Sequence, residues 1–112
     1  MFPLYKDRGT VRTMINNSEK ILTKLKKKYE IVIVDDGCPE KSGLLAKKIA
    51  KKKPNIRVIL HKKNLGYGAA IRTGLNKCKK DLIFAIDGDA EYSVNDLPRL
   101  LKASNNSDLV IT

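Results

Sequence analysis

Apolar and polar positions alternate along this chain in two rhythms. Val11, Met14, Ile15, Leu22 and Leu25 recur at three- to four-residue spacing, which predicts an amphipathic helix over about Gly9 to Lys27. Glu30 to Val34 is short and β-branched and reads as a buried strand. Gly37 and Pro39 break the chain across a loop from Asp35 to Ser42. Leu44, Leu45 and Ile49 mark a second helix that must stop ahead of Pro54, because the residue before a proline is pushed out of the helical region. Ile56 to Leu60 predicts a second strand, Asn64 to Gly68 a turn, and about Ala69 to Lys77 a third helix. Leu82 to Ile86 predicts a third strand and Asp87 to Ser93 a loop. A short helix follows, about Asn95 to Ala103 with Pro98 in its first turn, and Leu109 to Ile111 begins another strand.

Strands alternating with helices at these lengths imply an α/β fold, a mostly parallel sheet with helices on both faces. In such sheets ligands bind beyond the carboxyl ends of the strands. The residues expected there are Asp35 and Asp36, then His61 to Gly68, then Asp87, Gly88 and Asp89. At 112 residues the chain is read as one domain, 1–112. No apolar run approaches the roughly 20 residues that span a bilayer, and the opening residues lack the charged-then-apolar order of a signal peptide. Cys38 and Cys78 form no Cys-x-x-Cys motif, so reduced thiols and a cytoplasmic setting are expected.

Charge changes the picture only in part. The formal net charge is +11, from 23 Lys and Arg against 12 Asp and Glu, which attracts anions in general. Yet the lysines gather at Lys26–Lys28, Lys51–Lys53, Lys62–Lys63 and Lys79–Lys80, mostly at expected helix ends, where they complement the helix dipole. With four Tyr, two Phe and no Trp, the chain offers few platforms for stacking bases, so no specific nucleic-acid partner is expected.

Three acidic positions, Asp87, Asp89 and Glu91, follow an apolar strand at alternate places, and in an extended segment such residues point to one side. Clustered carboxylates repel unless a cation sits among them, and all-oxygen ligands suit Mg²⁺ or Mn²⁺. An EF-hand does not fit, because Tyr92 stands where its glycine belongs and Pro98 where its final glutamate belongs. The same loop could serve only as a surface connection with capping aspartates. Asp35 and Asp36 are costly to bury together as two ions; one could accept hydrogen bonds from a base or ribose, or both could cap the next turn. Gly66 and Gly68 precede a helix whose N-terminus could receive an anion, or they form a plain entry turn. His61 is the only histidine and carries no assigned role.

In this order and spacing, the motifs resemble the family 2 glycosyltransferases of GT-A fold, in particular the dolichol-phosphate mannosyltransferase-like group. The resemblance runs from about Pro3 to Leu101. Pro3-Leu4-Tyr5 matches the family's opening Pro-x-Tyr, while Lys6 and Asp7 replace its Asn and Glu. Asp35-Asp36-Gly37-Cys38 matches Asp-Asp-Gly-Ser with Cys for Ser, and Asn64 to Ala70 matches the segment near base and ribose. Asp87-Gly88-Asp89-Ala90-Glu91 matches the Asp-x-Asp-x-Gln metal motif with Glu for Gln.

The resemblance implies a nucleotide-sugar site of Pro3, Tyr5, Asp7, Asp35, Asp36, Gly66, Gly68 and Asp87, with Asp36 at the base. It implies Asp87, Asp89 and Glu91 as ligands of Mg²⁺ or Mn²⁺. The donor is then a UDP- or GDP-sugar, and a polyprenyl phosphate at the cytoplasmic membrane face is one acceptor. Two family features are expected to be missing from these residues: the first strand, since only Met1 and Phe2 precede Pro3, and the acceptor half with its catalytic base. No catalytic residue is therefore assigned, and the chain by itself is expected to be incomplete as an enzyme.

A receiver-like signalling domain shares the acidic pair and a later aspartate, but a long helix stands ahead of the strand that should open it. A dinucleotide-binding domain shares the Gly-x-Gly after a strand, but Ile71 occupies the third glycine position.

Overall fold

A computed structural model describes residues 1–111. Its elements are β1 (Phe2–Leu4), α1 (Val11–Lys24), β2 (Ile31–Asp35), α2 (Ser42–Ala50), β3 (Ile56–Leu60), α3 (Tyr67–Lys77) and α4 (Leu97–Ala103). A 3-10 turn at Val94–Asp96 leads into α4, and another follows at Ser104–Asn106. The three strands are parallel in the order β1-β2-β3, with Leu4 beside Asp35 and Asp35 beside Leu60.

The pleat decides which side chain faces which layer. Phe2, Ile33 and Val58 are register partners, so they share a face. With Leu4, Ile31 and Ile56 they meet Val11, Met14 and Ile15 of α1 and Ala46 of α2 in one core. The alternate residues of β2 point the other way, where Val34 lies under Gly74 of α3. The helices α1 and α2 pack on each other, while α3 packs on β1 and β2. The sheet is thus covered on both faces, and β2 is buried along its whole length, which explains its continuous apolar run. The 3-10 turn before α4 packs on α1 and contributes Val94 to the core. Ser93 caps that turn, accepting a hydrogen bond from the Asn95 amide at 3.1 Å.

Three expectations are corrected. On one side of β1, which is three residues long, lies β2, and on the other the segment 82–86. That segment is not a ladder strand. Among the described residues its backbone is hydrogen-bonded to the edge of the sheet at Met1 alone, whose nitrogen donates to Phe84 O at 2.6 Å and whose carbonyl accepts from Ile86 N at 3.2 Å. A neighbour as short as β1 leaves few groups to pair with; Phe84 and Ile86 still pack against the core, while Leu82 and Ile83 are 65% and 44% exposed. Residues 109–111 form no strand either, for nothing among the described residues pairs with them, and Leu109 and Ile111 stand in solvent. Finally, α3 begins two residues early, at Tyr67 rather than Ala69.

Candidate nucleotide and metal site

The backbone leaves each parallel strand at the same end of the sheet, and the segments that emerge there line an open cavity of about 440 Å³. Pro3, Tyr5 and Asp7 come from the exit of β1, Asp36 from that of β2, Asn64 and Gly66 from that of β3, and Asp87 and Asp89 from the loop after residue 86. Six of the eight expected nucleotide-sugar residues therefore line one cavity. Asp35 and Gly68 do not, and neither does Glu91 among the three expected metal ligands.

Asp35 is the last residue of β2 and points into the layer of α2, away from the cavity. Its two carboxylate oxygens accept from the amides of Cys38 at 2.8 Å and Gly43 at 2.9 Å. It is an anchor for the loop and for the first turn of α2, which has no acidic residue of its own. Asp36 has the opposite surroundings. Oδ1 accepts from the Leu65 amide at 2.9 Å and lies 2.8 Å from His61 Nδ1; Oδ2 accepts from Asn64 Nδ2 at 3.0 Å and the Gly66 amide at 2.9 Å. Burial works to raise its pKa, but the His61 ring and the two amides outweigh it, so the carboxyl lies below its ordinary value. A carboxylate has about four lone-pair sites, and these partners use them. Asp36 thus borders the cavity chiefly as the strut of the 64–66 wall.

The immediate sequence around His61 does not reveal its part in this wall. A signal was available in the strand register: if Asp35 pairs with Leu60, the next residues, Asp36 and His61, emerge side by side. Gly37, at φ 67°, completes this joint, since a Cβ there would strike the backbone of Lys63 and Asn64.

The acidic motif is a turn rather than an extended segment. Ala90 takes the left-handed conformation at φ 63°, and Asp89 Oδ1 accepts from the Glu91 amide at 2.9 Å. This reversal breaks the alternation that would aim all three carboxylates one way, so no group of three potential ligands is gathered among the described residues. Gly88 is needed for close approach: a Cβ there would collide with the Pro3 carbonyl. The Gly88 carbonyl accepts from the Thr10 hydroxyl at 2.7 Å, which ties the turn to the start of α1. Asp87 accepts from the Tyr67 hydroxyl at 2.7 Å, and that bond, more than burial, raises the tyrosine pKa. Asp7 is pushed up by burial and then by Asp89, Glu40 and Asp87, against the Tyr5 amide that stabilises its ion.

Unbalanced carboxylates around one cavity are a donor set for a hard cation. Mg²⁺ is commonly held by one or two carboxylates together with phosphate oxygens, and Asp87 and Asp89 meet that requirement without Glu91.

The sequence model described as Glycosyl transferase family 2 matches residues 3–112, so the chain belongs to that family. Among its relatives is the undecaprenyl-phosphate 4-deoxy-4-formamido-L-arabinose transferase of Pseudomonas fluorescens strain Pf0-1, 32% identical over all of this chain and 34% of that protein. The transferase of the same description from Photorhabdus laumondii is 31% identical over all of this chain and 35% of its own length. That of Edwardsiella ictaluri is 30% identical over 94% of this chain and 33% of its own. The chain spans about a third of the length of these relatives. Among the described residues no helix is long and apolar enough to cross a membrane.

Proposed function

We propose that this chain forms the donor-binding part of a glycosyltransferase, holding a nucleoside-diphosphate sugar in the cavity at the strand ends. The observation that carries the reading is the joint presence, on one cavity of ligand size, of the Asp87–Asp89 turn and the 64–66 loop opposite it. Asp87 and Asp89 would hold Mg²⁺ or Mn²⁺, and the ion, when bound, neutralises charge on the diphosphate. Pro3, Tyr5 and Asp7 line the β1 side, and Asp36 supports the loop against which the nucleoside packs. The Tyr67 hydroxyl donates to Asp87, and that carboxylate would have to give up this bond to hold a cation. The relatives' description supports a polyprenyl phosphate as the sugar acceptor, and with it a place at a membrane surface.

Titration calorimetry of UDP and of GDP, each with and without Mn²⁺, tests this. Nucleotide binding that strengthens at least tenfold with the metal, and loses that gain in Asp89→Ala, is the expected result. Metal-independent binding unchanged in Asp89→Ala, or no binding of either nucleotide, would overturn it.

A further inference from the structure

We propose that His61 is a positioning residue that presets the cavity wall, acting through Asp36. Its imidazole is nearly closed off from solvent, with 9% of the side chain exposed, and both ring nitrogens are engaged. Nδ1 lies 2.8 Å from Asp36 Oδ1 and Nε2 lies 2.9 Å from the Thr73 hydroxyl in α3. A carboxylate only accepts, so Nδ1 carries a proton. The ring therefore spans from α3 to the single carboxylate that grips the amides of Leu65 and Gly66 and the side chain of Asn64. Asn64 and Gly66 line the cavity, whereas His61 does not.

This arrangement separates support from contact. Without His61, Asp36 keeps its other partners but loses the group that fixes its orientation from behind, and a buried carboxylate short of a partner is costly. Fixing the acceptor in place is what holds two loop amides in one position before any ligand arrives, so the ordering cost is not charged to binding. The ring's second bond matters because it ties this loop to α3, whose first residue, Tyr67, reaches across to Asp87. One imidazole thereby links the 64–66 wall to the helix that touches the acidic turn.

Two isosteric replacements separate the two bonds. The amide nitrogen of Asn falls near Nδ1 and that of Gln near Nε2. Hydrogen exchange of the Leu65 and Gly66 amides, read alongside calorimetry with UDP or GDP and Mn²⁺, is the measurement. In His61→Leu, exchange of both amides is expected to speed up at least tenfold while the β2 amides stay protected, and nucleotide affinity to fall at least tenfold. His61→Asn is expected to restore both within about threefold, and His61→Gln to restore neither. If His61→Leu does not fold, Thr73→Val, which removes only the anchor on α3, is expected to raise exchange at Leu65 and Gly66 by a smaller factor. Unchanged exchange in His61→Leu, or in Thr73→Val where it must stand in, overturns the inference, as does an Asn variant no better than Leu. The affinity arm rests on the function proposed above, and the exchange arm does not. Faster exchange rescued by Asn in a protein that binds neither nucleotide supports the role of His61 and overturns the nucleotide reading alone.

Discussion

Asp7 and Asp36 border the same cavity and carry opposite electrostatic burdens. Asp7 is raised above its ordinary pKa by burial and by the neighbouring acids Asp89, Glu40 and Asp87. A carboxyl whose folded pKa is raised destabilises the fold when ionised; that cost is fully present at neutral pH and fades as pH falls through the folded value toward the unfolded one, about 3.9. Asp7→Asn keeps an oxygen for the Tyr5 amide and is expected to raise Tm at pH 7, with the difference vanishing below about pH 4. Thermal melts from pH 3 to 8 check it, and a lower Tm for the variant at pH 7 would contradict it. Mn²⁺ should raise the parent's Tm by relieving the same repulsion. Asp36 has the reverse sign. Its lowered pKa stabilises the fold above the unfolded value, and that contribution is lost as pH falls through the lower, folded one. Asp36→Asn turns an acceptor oxygen into a donor that faces other donors. It is expected to cost about 1.5–3 kcal/mol at pH 7 by urea denaturation, and to flatten the acid limb of the stability profile.

Among the elements, α2 packs tightly on β2 and β3 at Gly43. A Cβ on Gly43 would run into the Asp35 carboxylate and a methyl of Leu60. Asp35 has no room to retreat, because its oxygens hold the Cys38 and Gly43 amides. Overpacking of this kind costs about 1–3 kcal/mol, and Gly43→Ala is expected to lose that much in urea denaturation despite alanine's better helix propensity. Loss of less than half a kcal/mol would mean that α2 shifts freely on the sheet. The Cys38 sulfur accepts from the Lys6 amide at 3.0 Å and lies 3.2 Å from the Ser42 hydroxyl. Burial raises its pKa, but these hydrogen bonds outweigh that and leave the thiol below its usual value. Its sulfur joins the exit of β1 to the start of α2.

At the scale of the molecule, charge and apolar surface oppose each other. The ends of α1, α2 and α3 away from the cavity carry Lys24 to Lys28, Lys47 to Lys53 and Lys77 to Lys80. Among the described residues, Lys53 is the one of these lysines in an ion pair, with Glu19. Like charge of this density keeps copies apart in dilute salt, and added salt screens it, since the Debye length shrinks to about 10 Å at 0.1 M. Leu82 and Ile83 meanwhile stand exposed in the segment that meets the β1 edge of the sheet, and Leu109 and Ile111 are exposed as well. Self-association is therefore expected to grow between 0.05 and 0.5 M salt, on the order of the range over which that screening acts. Ile83→Lys should suppress it without changing the circular dichroism. Light scattering decides the matter, and association that falls with salt would point to ion pairing instead.

The alternation of buried β-branched runs with amphipathic helices was enough to determine the α/β class, the parallel order and the end of the sheet where the acids collect. Those features follow from which side chains must leave water, and each is written in a local period. The helix α1 and the strands β2 and β3 could be read within a few residues for that reason. What the chain could not declare locally was how neighbouring segments complete one another. Whether Leu82 to Ile86 becomes a strand depends on the three residues of β1 beside it. Whether Glu91 joins Asp87 and Asp89 depends on the left-handed turn at Ala90. Asp35 and Asp36 are adjacent and chemically identical, yet the pleat sends one carboxylate to α2 and the other to His61. Their division of labour, and the part of the one histidine, exist only once the strands are side by side, because hydrogen-bond partners 25 to 30 residues apart are supplied by register and not by sequence neighbours.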